Sequence, residues 1–254
     1  MASLNFKATV PVFDANVGVG HRYNQLAPFE DPAGLQEEMQ RHGVERALIY
    51  HAMGENISCI TGNEELLKWV DNNDAFTPQW IASSTADSIA QLQDLHADGR
   101  VQSVRLFNTE VMNVPFADWI FGDLLEWLSA ENIPLWVSFA DTPATELMDT
   151  LRRFADLTIV FVGSHYSHSL VVQPFLRHLP NAHMEVSRFE NVDALQRLKQ
   201  EFGSERFLYG SFYPRWAMGP ALFYIHHIGL SEAELTAYCA GNLERILQGS
   251  GRHD

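Results

Sequence analysis

Short apolar runs bounded by turn residues recur along the chain. They alternate with longer segments whose apolar residues return every three or four positions. The runs predict strands at Val10–Val17, Arg46–His51, Thr77–Ser83, Val101–Phe107, Pro134–Phe139, Thr158–Gly163, His183–Ser187 and Phe207–Ser211. Several of them, such as ALIY, PLWVSF and TIVFV, carry apolar residues on both faces. Strands of that kind are covered on both sides, as in a parallel sheet flanked by helices.

The segments between the strands have helical ends written into them. Asp31-Pro32 offers an N-cap followed by a proline at the first helical position, and Gly43 offers a stop. Thr142-Pro143 repeats that start, and Ser231 with Glu234 reads as a capping box. From Phe116 to Glu131, Trp119, Ile120, Leu124, Trp127 and Leu128 recur at helical spacing. Eight strands alternating with helices predict an α/β chain folded as one (β/α)8 TIM barrel spanning residues 1–254. The alternative is an open doubly wound sheet. It would need a glycine-rich phosphate loop after the first strand, where DANVGVGHRYN supplies Gly18 and Gly20 but no third glycine at the required spacing.

Composition narrows the partners. The 254 residues include 17 Lys plus Arg against 32 Asp plus Glu, a net charge of −15 that repels phosphate backbones and anionic membranes. No nucleic acid and no membrane partner is expected; a small-molecule substrate and a homo-oligomer are. Cys59 and Cys239 are too few for a disulfide framework. The first residues show no basic patch followed by an apolar run, so a cytoplasmic location is the expectation.

In such a barrel the chemistry gathers at the C-terminal ends of the strands. That rule selects Asn16, Gly18, His51, Arg105, Asn108, Ser138, Asp141, Gly163, His165, His168, Glu185, Ser187, Ser211, Phe212, Tyr213 and Arg215. His165 and His168 are either an acid–base or ligand pair or loop histidines bonded locally. His51 is either a pocket acid–base or a structural residue. Arg105, inside the apolar VRLF, needs an anionic partner, either a substrate carboxylate or Asp14 or Glu185. Glu185 is either a proton-transfer partner of a histidine or the partner of Arg105. Tyr213 and Arg215 follow the last strand, where Arg215 suits an anionic substrate.

These strand ends resemble the amidohydrolase-related family of metal-dependent hydrolases, a group that also holds decarboxylases of small carboxylic acids. FLYGSFYP is similar to the family's eighth strand "GSDYP", and AELTAYCAGNLERIL to its terminal helix pair. VFDANVG stands where the family has "IDxHxH", VQSVRLF resembles its "GVRL" strand and IPLWVSF its "LPVxIH" strand. The resemblance implies a barrel hydrolase acting on a small carboxylated, cyclic or lactone-like substrate. The family's ligand positions fall on Asn16, Gly18, Ser138 and Phe212, and its sixth-strand histidine on Gly163 or His165. Gly and Phe carry no donor side chain, and Asn and Ser are not usual zinc ligands. The expectation is therefore of no metal and no other cofactor. Catalysis is expected from His51, His165 and Glu185, and substrate binding from Arg105, His168, Tyr213 and Arg215. Two alternatives stand beside it: an inactive family member that binds a ligand or partner, and a hydrolase or decarboxylase with a metal held by His51, His165, His168 and Glu185.

Overall fold

The computed structural model of the chain describes residues 6–107, 109, 112–191 and 193–249. Asn108 lies outside them. The strands are β1 (Phe13–Val19), β2 (Arg46–His51), β3 in two pieces (Phe76–Pro78 and Trp80–Ile81), β4 (Val104–Arg105), β5 (Leu135–Ser138), β6 (Ile159–Val162), β7 (Ala182–Glu185) and β8 (Phe207–Leu208). Every neighbouring pair is parallel. The two pieces of β3 are separated by Gln79, whose backbone N–H still bonds Ile49 O at 2.7 Å. The ring closes through Ala15 N to Tyr209 O and Gly18 N to Tyr213 O. The architecture is the expected α/β barrel.

The observed strands are shorter than the apolar runs, because pairing stops while the chain is still buried. Leu106 and Phe139, for example, are buried beyond the ends of β4 and β5. Side chains alternate between two cores. One lies between strands and helices. The other fills the lower barrel with Phe13, Leu48, Trp136, Val160 and Leu208, and is closed by Leu243, Ile246 and Leu247 of the last helix, α11 (Asn242–Gly249). That plug leaves the opposite, C-terminal ends of the strands for a site.

Helix α1 (Pro32–His42) starts as its sequence dictates: Asp31 accepts from Gly34 N at 2.9 Å, and Gly43 closes the other end. The capping box of Ser231 and Glu234 is formed at α10 (Glu232–Thr236). Two local expectations change. Helix α6 (Ala144–Leu151) begins without a side-chain cap, because Thr142 is engaged with Thr109 Oγ1 at 2.9 Å. Helix α5 (Asp118–Ala130) buries Phe121, Leu124, Leu125 and Leu128, while Trp119 faces solvent. No helix among the described residues is long and apolar enough to cross a membrane.

Candidate functional site

Arg105 is the centre of the upper barrel. Strand β4 sets its backbone between Ile81 of β3 and Trp136 of β5, and its side chain is fully buried. Nη1 donates to Asn16 Oδ1 at 2.8 Å and to Gln79 Oε1 at 3.3 Å, both neutral groups. Nε and Nη2 have no hydrogen-bond partner among the described residues. Three rings surround the guanidinium carbon: Phe107 at 4.2 Å, Tyr50 at 4.5 Å and Phe212 at 5.5 Å from their centroids. Cation–π attraction compensates part of the lost hydration, but an unbonded N–H in such a setting still favours an anionic partner. Burial pushes the Arg105 pKa down, and Tyr50, Glu185 and Asp141 oppose that through their charges.

Asn16 relays Arg105 to Glu185. A guanidinium only donates and a carboxylate accepts, so the Asn16 amide has one sensible orientation. Its Oδ1 takes the Arg105 proton while its Nδ2 donates to Glu185 Oε2 at 3.0 Å. Glu185 is fully buried and also accepts from Ser187 Oγ at 2.9 Å, from Gly163 N at 3.3 Å and from Ser187 N. Burial raises its pKa, against the pull of these donors. With its oxygens so engaged, Glu185 holds the relay in place.

A second cluster adjoins the first. Arg22 donates to Glu55 Oε2 through Nε at 3.0 Å and Nη2 at 2.8 Å, and Nη2 also reaches Tyr50 Oη at 2.7 Å. Arg215 pairs with the other oxygen of Glu55, whose side chain is 2% exposed. The Arg215 guanidinium lies 4.8 Å from the Phe212 ring. The contacts therefore form a closed circuit: Arg105, Tyr50, Arg22, Glu55, Arg215, Phe212 and back to Arg105.

The remaining expected site residues lie apart from this circuit. His51 accepts from Met53 N at 3.3 Å, capping the short helix α2 (Ala52–Asn56). Its ring lies against Gly20, and burial, joined by the positive Lys68 and His21, lowers its pKa against the pull of the Glu65 carboxylate. His165 and His168 bond one another, His165 N donating to His168 Nδ1 at 3.0 Å, in a partly exposed loop after β6. Tyr213 stacks on Phe29 at 5.7 Å and faces Glu38 and Arg41, with burial pushing its pKa up to about 12. Of the expected residues the structure brings together Arg105 and Glu185 through Asn16, and Arg215 with them through Phe212. It adds Arg22, Tyr50, Glu55, Gln79 and Phe107. Tyr50 had a signal: it falls in step with Leu48 on one face of β2, whereas His51 falls in step with Ile49.

The positions read as ligand positions are packed shut. A Cβ on Gly18 would stand 3.0 Å from Tyr50 Oη and 3.3 Å from Arg22 Nη2. Gly163 has φ +62°, and a Cβ there would stand 3.1 Å from the Phe212 ring. Phe212 itself has φ +58°, a conformation that strains a residue of this size. Among the described residues no three His, Cys, Asp or Glu side chains are grouped as metal ligands, so His51, His165, His168 and Glu185 do not converge.

Solved structures share this fold. A TIM-barrel protein Bb4693 from Bordetella bronchiseptica aligns with TM-score 0.71 at 18% identity, over 96% of this chain and 100% of that one. A putative 2-pyrone-4,6-dicarboxylic acid hydrolase from Pseudomonas putida aligns with TM-score 0.71 at 15% identity, over 94% and 98%. A dihydroxybenzoic acid decarboxylase from Polaromonas sp. JS666 aligns with TM-score 0.71 at 10% identity, over 94% and 97%, and was solved with bound manganese and the inhibitor 2-nitroresorcinol. That manganese overturns the expectation of a cofactor-free site, which had rested on the residue types at Asn16, Gly18, Ser138 and Phe212. At Phe212 this chain places a phenyl ring whose centre lies 5.5 Å from the Arg105 guanidinium carbon. No curated protein matches the chain. The family model described as Amidohydrolase matches residues 16–248, most of this parallel barrel, and the chain belongs to the amidohydrolase family.

Proposed function

We propose that this chain is a hydrolase of its family that takes a small cyclic or lactone-like carboxylate, with the carboxylate held by Arg105. One observation carries the substrate class: a fully buried guanidinium with Nε and Nη2 unbonded inside a cage of three aromatic rings. Two adjacent N–H groups in a fixed fork match a carboxylate, and the aromatic walls match a ring. Low local polarity strengthens such a pair, and it equally stabilises negative charge that develops during bond cleavage. Asn16 and Glu185 fix the fork through the relay, so they act as positioning residues. The hydrolytic class comes from the family and from likeness to the pyrone dicarboxylate hydrolase.

The test is calorimetric titration of 2-pyrone-4,6-dicarboxylate and 2,6-dihydroxybenzoate, with turnover followed by absorbance with and without added manganese. Arg105→Met removes the charge at similar length, and Arg105→Lys keeps the charge without the fork. Binding at least tenfold weaker in Arg105→Met and intermediate in Arg105→Lys, both folded by circular dichroism, is the expected result. Equal binding by wild type and Arg105→Met, or no binding of any ring carboxylate, refutes the reading.

A further inference from the structure

A cavity of about 350 Å³ lies beside the Arg105 cage, lined by Ile60, Ile81, Leu106, Phe107, Met112 and Phe121 among others. Its position relative to Arg105 is fixed by the strands: Ile81 is the β3 residue paired with Arg105, and Phe107 follows Arg105 by two positions. The half-buried Phe107 ring is the partition between the two spaces. It stands 4.2 Å from the guanidinium carbon and also forms cavity wall. Glu55 is a second shared residue, binding Arg22 and Arg215 while bordering the cavity.

Three hydroxyls on the cavity rim are already engaged. Ser58 Oγ accepts from Thr61 N at 3.2 Å at the start of helix α3 (Cys59–Val70), and Thr85 Oγ1 accepts from Ser88 N at 3.4 Å at the start of helix α4 (Ala86–Ala97). Thr109 Oγ1 donates to Asp141 O at 2.9 Å. Helix caps and loop contacts thus occupy these three hydroxyls, and the apolar side chains of the wall are the main contact left for a guest.

Resting on the carboxylate reading above, we infer that this cavity is the subsite for an apolar arm of the substrate. The substrate class narrows to a monocarboxylate whose ring or chain extends away from the carboxylate. Phe107 turns aside so that the carboxylate meets Arg105 while the arm fills the cavity. A second carboxylate on the arm meets no cation among the described residues of the cavity wall, so dicarboxylates of the same size bind less well. Cys59 borders the same cavity and is partly exposed, whereas Cys239 is buried. The chain therefore carries its own reporter of occupancy.

The experiment uses the whole chain and the series benzoate, phenylacetate, 3-phenylpropionate and 4-phenylbutyrate. Each ligand is titrated by calorimetry, and the rate of Cys59 labelling by a chromogenic disulfide is measured with and without it, Cys59→Ser supplying the blank. The inference expects about fourfold tighter binding per added methylene until the cavity is full. It also expects labelling to slow at least fivefold with the longer acids and little with benzoate. If every acid binds with the same affinity through Arg105 and none protects Cys59, the subsite is refuted while the carboxylate reading stands. If none binds, or binding ignores Arg105→Met, both fail together. If neutral 3-phenylpropanol protects Cys59 as well as 3-phenylpropionate does, the cavity is uncoupled from Arg105 and the inference is overturned.

Discussion

Asp14 offers the sharpest quantitative test of the packing above the barrel plug. It is fully buried, with Oδ1 accepting from Asn16 N at 3.0 Å and Ser211 N at 2.9 Å, and Oδ2 without a hydrogen-bond partner among the described residues. Burial, aided by the nearby Glu185 charge, raises its pKa from 3.8 to about 7 against these hydrogen bonds. Between about pH 4 and pH 7 the folded chain therefore keeps a proton that the unfolded chain has released. Stability must fall as pH rises through that window, by up to about 1.4 kcal/mol per unit and about 4 kcal/mol in all. That is a large share of the roughly 5–15 kcal/mol that holds a typical domain folded.

Asp14→Asn removes the titration and keeps Oδ1 as an acceptor. Its new Nδ2 replaces the unpartnered Oδ2, at a cost of about 1–3 kcal/mol. The variant is thus expected to lie within about 1.5 kcal/mol of wild type near pH 5 and to be more stable than it by about 1–3 kcal/mol near pH 8. Urea denaturation across pH 5–8 measures this, with the m-value checked for constancy. His183 has the opposite effect: burial lowers its pKa from 6.5 to about 3, so its contribution rises with pH between about 3 and 6.5. His183 is common to both proteins and cancels in their difference. A wild-type-minus-variant difference that stays flat from pH 5 to 8 refutes the placement of a buried, neutral-pH carboxyl at Asp14.

Other perturbations follow from the same geometry. Glu55→Gln leaves Arg22 and Arg215 without their shared carboxylate at a 2% exposed position, and a loss of about 3–5 kcal/mol in denaturant unfolding is expected. Gly18→Ala drives a methyl to 3.0 Å from Tyr50 Oη, and thermal denaturation should show about 1–3 kcal/mol of overpacking. Asp31→Ala removes the cap on Gly34 N, with about 1 kcal/mol expected and no change in carboxylate binding.

The barrel was legible because buried parallel strands leave apolar runs with turn residues between them, and Asp31-Pro32 or Ser231 with Glu234 act within one helical turn. The site was legible only in part. Arg105 stood out as a cation in an apolar strand, with a substrate carboxylate, Asp14 or Glu185 as its alternative partners; the structure links it to Glu185 through Asn16. The contacts that complete the circuit join residues far apart in sequence, such as Arg22 with Glu55 and Asn16 with Glu185. No local pattern records such a contact. His51 was readable from alternation alone, since β2 turns Leu48 and Tyr50 to one side and Ile49 and His51 to the other.

The residues read from the sequence as ligand positions pack as one coupled set. Gly18 admits Tyr50 and Arg22, Gly163 admits the Phe212 ring, and that ring covers both Arg105 and Arg215. Changing one member changes what the others face. Phe212→Asp is the informative case, since it puts a carboxylate where the ring now lies, among guanidinium carbons 5.5 and 4.8 Å from the ring centre. An internal anion in that place pairs with Arg105 and competes with any external carboxylate, as a tethered group at high effective concentration. Ring carboxylates should then lose their affinity in Phe212→Asp, while Phe212→Leu, which removes the ring without adding charge, retains most of it. Calorimetric titration of the two variants side by side decides the matter: undiminished binding in Phe212→Asp would mean that the carboxylate is held somewhere other than Arg105.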